Sequence, residues 1–393
     1  MEAQSGKVLS IDTGAEKAEG NQNAIPAAQK HHFDFALFIV LMLICAFGIV
    51  MLFSASYYYA QSNFNDGLHY VKKQLLFFGV GLVAMLILSH VKYTVYQKII
   101  LIGYFVLIGL LVLTLLIGTT KNYAKRWIDL GGFDLQPSEL AKFVLVVLAA
   151  KLMTSKRNKM GSLIHGVLPL LIYMLIPCVL IYLQPNLSMI VIIAVTTFVM
   201  LYLGGAKAWH LLLLAMLGGI AVFVLIKVAG YRSSRLDMLF DPWADANGDG
   251  YQVVQSLYAF GNGGLFGQGI NYSRQKLLFL PYRESDFILS IIGEELGFVG
   301  CLALIALYMF VIYRGIRIAM RCRDRFGSLT AAGITGVLAI QVLVNIAVVT
   351  NSLPATGQTL PLVSSGGTSM IVFLAAMGIL LNISRFTEVK SKQ

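Results

Sequence analysis

The chain has 393 residues, of which 58% are hydrophobic and 12% charged, and its mean hydropathy is +0.76. Soluble domains carry roughly 25% charged residues, so the composition excludes a soluble enzyme and indicates a polytopic membrane protein. The formal net charge of +11 is explained by Lys and Arg collecting in cytoplasmic loops, so no nucleic-acid partner is expected.

Residues 1–33 are polar and lack periodicity. They read as a disordered cytoplasmic tail. No small-residue cleavage site follows the first apolar run, so a removable signal peptide is not expected. A bilayer span needs roughly 20 apolar residues. Scanning at that length predicts an all-α domain over 34–386 with about ten transmembrane helices, and 387–393 as a short cytoplasmic tail. The spans fall near 35–56, 75–92, 98–118, 138–154, 163–183, 187–204, 208–229, 286–313, 328–350 and 367–385. Gln184-Pro185-Asn186 separates the fifth from the sixth as a tight turn or re-entrant break.

Orientation follows from the basic loops. Lys151, Lys156, Arg157 and Lys159 lie in one, and Arg314, Arg317, Arg321, Arg323 and Arg325 in another. Ten spans put both loops and both termini in the cytoplasm. Two outer loops break the pattern, one with Lys121, Lys125 and Arg126, the other with Arg232, Arg235, Arg274, Lys276 and Arg283. An anionic ligand such as a lipid phosphate would account for them; so would pairing with Asp129, Asp134, Asp237 and Asp241. The four cysteines, Cys45, Cys178, Cys301 and Cys322, suggest neither a zinc site nor a disulfide framework.

The long outer loop, 231–285, reads as a folded segment lying on the membrane. Its Gly-rich run from Gly261 to Gly269 lacks the strand, helix and Lys-Ser/Thr ending of a phosphate loop, and reads as flexible turns over a cavity. Asp245 to Gly250 matches half of a calcium loop, but Ser256 stands where a bidentate Glu is needed.

Asp286 begins the eighth span. It is either a helix cap or a partly desolvated carboxylate, a better base for its burial. Glu294 is nearer in angle to the Asp286 face than Glu295, for which pairing with a neighbouring cation is expected. Glu139 and Lys142 stand i, i+3 at the start of the fourth span and can pair, shaping a cavity wall. The Pro-, Gly- and hydroxyl-rich segment from Pro354 to Ser369 reads as broken backbone lining the same cavity.

Taken together, these stretches resemble the SEDS family, the shape, elongation, division and sporulation proteins of bacterial cell-wall synthesis. The motifs are Lys125-Arg126-Trp127-Ile128, Gln136 to Lys142, Gln184-Pro185, Gln252 with Gln255-Ser256, Gly267 to Gly269, Ser273 with Gln275-Lys276, Leu280-Pro281, Asp286-Phe287-Ile288, Glu294 to Gly297 and Pro354 to Ser369. The FtsW and SpoVE branch looks most similar, with RodA next. The resemblance implies a peptidoglycan glycosyltransferase of the cytoplasmic membrane. It would polymerise lipid II at the outer face during division or sporulation, alongside a class B penicillin-binding transpeptidase and other divisome or sporulation membrane proteins. Asp286 matches the family's essential acid, and Glu139 and Lys142 match its fourth-span pair. Tyr282, Glu284, Asn186 and Ser365 depart from the usual motifs.

On this reading Asp286 is the catalytic base of an inverting transfer. Lys125, Arg126, Arg274, Lys276 or a divalent cation, Mg²⁺ or Mn²⁺, would stabilise the leaving diphosphate. Gln252, Ser364 and Ser369 are expected to touch substrate, and Glu139, Lys142 and Glu294 to build the cavity. No resident metal site is expected. A lipid flippase and a non-catalytic scaffold for the transpeptidase are the alternatives.

Overall fold

The structure is a computed structural model describing residues 33–121, 124–229, 238–248 and 250–387. The tail through residue 32, Arg232, Arg235, Asp237 and residues 388–393 lie outside the described residues. Eleven helices of ten residues or more stand among them. They are α1 (Phe35–Phe64), α2 (His69–His90), α3 (Tyr93–Ile117), α4 (Pro137–Ser155), α5 (Leu168–Tyr182), α6 (Leu187–Leu203), α7 (Ala208–Ala229), α8 (Tyr251–Gly263), α9 (Ile288–Arg321), α10 (Arg325–Val349) and α11 (Gly367–Ser384). Each of the ten expected spans coincides with one of them; α8 is additional and lies within the long outer loop.

Among the described residues, seven helical runs are long and apolar enough to cross a membrane on their own: α1, α2, α3, Leu163–Tyr182, α9, α10 and α11. The chain is therefore an all-α, multi-pass membrane protein. Side chains such as Leu76, Ile102, Phe105 and Leu116 are more than 60% exposed on the outer helices, as expected where the solvent is lipid. The helix ends follow from local chemistry. Asp34 caps α1 by accepting from Leu37 N at 3.0 Å, Asp324 caps α10 by accepting from Gly327 N at 3.0 Å, and Pro137 opens α4.

The centre is formed by α10, packed on α9, α4 and α6, and by α11, laid along α2. A three-stranded antiparallel sheet was not foreseen. Its strands are β1 (Thr119–Lys121), β2 (Ala124–Asp129) and β3 (Asp134–Leu135). Strands this short give almost no alternating signal, yet β2 carries Arg126 and Trp127 to the site.

The helix α9 is broken at Gly297, whose φ of 68° and ψ of −167° are not helical. The Gly-rich run fills the break. Gln268 N and Gly269 N donate to Glu294 O and Glu295 O at 2.9 and 3.0 Å, while Phe298 N and Val299 N donate to Gly264 O and Leu265 O at 2.9 and 3.1 Å. Backbone groups freed inside a membrane protein must find partners within it, and this run supplies them. A Cβ on Gly297 would stand 2.3 Å from Gly267 N, so only glycine permits the approach. The run is a backbone splice rather than flexible turns over a cavity.

Candidate active site

One end of the bundle encloses a polar cavity of about 570 Å³. Its walls come from β2, the start of α4, the turn between α5 and α6, residues 282–287 and the segment 355–369. Helices supply the scaffold, but the walls are mostly irregular backbone. That backbone is held by polar side chains on the helices. Ser188 donates to Thr356 O at 2.6 Å, Gln341 to Thr359 O at 3.0 Å, and Asn345 to Gln358 O at 2.8 Å. Tyr308 donates to Pro361 O and Gln74 to Ser364 O. Each bond satisfies a carbonyl that would otherwise be buried unpaired.

Asp286 is half-buried on the cavity wall. The helix begins only at Ile288, with Phe287 in the cap position, so Asp286 is not the helix cap that its sequence position allowed. Its backbone oxygen accepts from Asn345 Nδ2 at 2.9 Å. Gly357 passes close enough that a Cβ there would stand 3.5 Å from Asp286 Oδ2.

Arg126, Glu139, Gln252 and Ser369 line the same cavity as Asp286. Arg126 donates to Gln184 O and Pro185 O, which fixes β2 against the α5–α6 turn. Ser369 and Thr356 line the cavity, and their buried hydroxyls have no hydrogen-bond partner among the described residues. Such groups suit a ligand that supplies the missing bond.

The other expected residues lie elsewhere. Lys125 Nζ donates to Leu115 O and Leu116 O at 2.9 and 2.8 Å, neutralising the carboxyl end of α3 rather than lining the cavity. Lys276 is buried in an ion pair with Glu295 at 2.9 Å and also bonds Asn271 and Ser54. The exposed Arg274 also stands off the cavity wall. Glu294 does not reach the cavity. It gathers Ser273 Oγ and the backbone nitrogens of Arg274 and Gln275, pinning that turn to α9. Lys142 lies behind Glu139, bonded to it at 2.9 Å and to Gln341 at 2.6 Å. Ser364 donates to Ser285 O at 2.6 Å and shapes the wall from outside.

Two residues that hold the site were missed, Gln341 and Asn345. Polar amides spaced i, i+4 in an apolar helix were the available signal. Next to Asp286, burial pushes the Glu284 carboxyl above its ordinary range, with Arg283 opposing. Among the described residues no three His, Cys, Asp or Glu side chains converge as a metal cage. Asp134, Glu139 and Asp286 share the cavity wall without forming a preassembled cation site.

Residues 34–389 match the family model described as "Cell cycle protein", FtsW/RodA/SpoVE. The chain is 39% identical to stage V sporulation protein E of Bacillus subtilis, over 90% of this chain and 98% of that one. It is 40% identical to a probable peptidoglycan glycosyltransferase FtsW of Trichlorobacter lovleyi, over 90% and 93%. Among solved structures, a peptidoglycan synthase complex that coordinates polymerisation and crosslinking superposes with a TM-score of 0.75 at 28% identity, covering 90% of this chain and 98% of that one. The rod shape determining protein RodA of Thermus thermophilus superposes at 0.67 and 28%, covering 90% and 97%.

Proposed function

The chain belongs to the FtsW/RodA/SpoVE cell cycle family, the SEDS proteins, in its FtsW and SpoVE branch, and from that premise we propose that it is a peptidoglycan glycosyltransferase using lipid II. The observation that carries the mechanism is the Asp286 carboxylate on the wall of a polar cavity, with its backbone clamped and Arg126 on the same wall.

Asp286 takes the proton from the 4-hydroxyl of an acceptor GlcNAc. The freed oxygen attacks C1 of a donor MurNAc whose anomeric oxygen is bonded to a lipid diphosphate. The C1–O bond to the diphosphate breaks with inversion, and the diphosphate leaves with the electron pair. A diphosphate is a good leaving group, so it needs charge stabilisation more than a proton. Arg126 is the cation placed to give it, since guanidinium matches phosphate geometry. Ser369 and Thr356 hydroxyls and Gln252 would hold sugar or phosphate oxygens.

The topology that suits this reading has ten crossings, with both termini and the Arg314–Arg325 loop in the cytoplasm. The cavity then opens at the outer face. A class B penicillin-binding transpeptidase is the partner this chemistry calls for, because nascent strands must be crosslinked. The test is lipid II polymerisation by the purified full chain, with and without such a transpeptidase. Glycan polymer is the expected product. Lipid II crossing vesicle membranes with no polymer formed would favour a flippase instead.

A further inference from the structure

The helices α9 and α11 begin at the Asp286 cavity and end at a second cavity of about 280 Å³ at the opposite end of the bundle. Its lining includes Phe33, Asp34, Phe35, Arg314, Arg317 and Arg321. The three arginines are spaced i, i+3, i+7, so they share one face of α9.

Asp34 is already committed. It caps α1 and holds Arg314, with Nε at 2.8 Å and Nη2 at 2.5 Å from Oδ2. Arg317 lies 5.4 Å over the Tyr313 ring, which orders it without neutralising it. Neither Arg317 nor Arg321 has a carboxylate within ion-pair distance among the described residues. Arg385, 5.5 Å over the Phe33 ring, stands beside the same rim. Phe33 and Phe35 add an apolar wall where α1 enters its apolar run.

Topology alone explains arginines on this face. It does not require them to converge on a concave site that Asp34, their one acidic neighbour among the described residues, leaves cationic. A cationic recess beside aromatic rings at the end of apolar spans sits at the depth of phospholipid headgroups. Its volume is near the lower end of small-ligand sites, roughly 300 Å³ upward, enough for a glycerophosphate. We infer that this cavity binds the phosphate of an anionic phospholipid. The inference does not depend on the glycosyl transfer reading.

The experiment is native mass spectrometry of the full chain purified in detergent, titrated with phosphatidylglycerol or with phosphatidylcholine. The comparison is with the double variant Arg317→Gln/Arg321→Gln. Wild type should retain at least one phosphatidylglycerol in preference to phosphatidylcholine. The double variant should bind it more weakly by roughly thirtyfold, as expected for two juxtamembrane cations. The charge-conserving Arg317→Lys/Arg321→Lys variant should keep most of the affinity, and thermal unfolding without lipid should show all three chains folded. Equal retention of phosphatidylglycerol by the Gln variant, equal binding of phosphatidylcholine, or displacement of the lipid by millimolar inorganic phosphate would each overturn it.

Discussion

The side-chain amide of Asn345 donates to two backbone oxygens at once, that of Asp286 at 2.9 Å and that of Gln358 at 2.8 Å. One residue of α10 thereby ties the turn carrying the proposed base to the adjoining segment of the cavity wall. Removing the donor leaves two carbonyls unpaired, each costing about 1–3 kcal/mol if buried. Asn345→Asp keeps the shape and loses the donor. It should lower the unfolding temperature and slow polymerisation while lipid II binding falls less, as read by thermal scans and by kcat against KM.

Gly357 holds a φ of +70° beside Asp286 Oδ2. Ala in that left-handed conformation costs roughly 1–2 kcal/mol, and its methyl would come into van der Waals contact with the carboxylate, 3.5 Å from Oδ2. Gly357→Ala should therefore cut polymerisation at saturating lipid II by about tenfold or more, with little change in expression.

Lys276 and Glu295 test the difference between a phosphate ligand and a structural pair. Breaking a buried pair by removing one partner costs about 3–5 kcal/mol. Lys276→Met alone should destabilise strongly, and Lys276→Met/Glu295→Gln should recover much of the loss and most of the activity. A double variant that folds normally but cannot polymerise would return Lys276 to the substrate site.

Glu284 gives a pH prediction. Its folded pKa is raised, chiefly by desolvation, above the ordinary value of 4.5. A carboxyl raised by folding favours the folded state while it is protonated, and that advantage is lost as pH rises through the folded pKa. Stability should thus decline as pH climbs above about 4.5. Glu284→Gln should flatten that decline and raise the unfolding temperature at neutral pH, measured as unfolding temperature across the pH range.

Much of the fold was legible because lipid imposes a length and a composition on each span. The break at Gly297 was not, because hydropathy is blind to backbone direction. The short sheet was not either, since a two-residue strand has no period. In the site, Asp286, Glu139, Arg126, Gln252 and Ser369 could be singled out as polar groups at span ends and in loops, and they share one cavity. The sign of a charge does not say what it faces, however. Lys125 proved to serve the end of α3, and Lys276 a buried carboxylate. Asn345 was passed over because it is uncharged, although an amide inside a membrane helix needs a partner as surely as a charge does.

The central claim is that Asp286 removes the acceptor's proton, and the Asp286→Asn variant measures it most directly. The substitution preserves shape and abolishes the base. Lipid II polymerisation by the purified variant with its transpeptidase partner should fall by about 10²–10⁴-fold, with lipid II affinity and unfolding temperature close to wild type. Polymerisation at the wild-type rate in that variant would contradict the account.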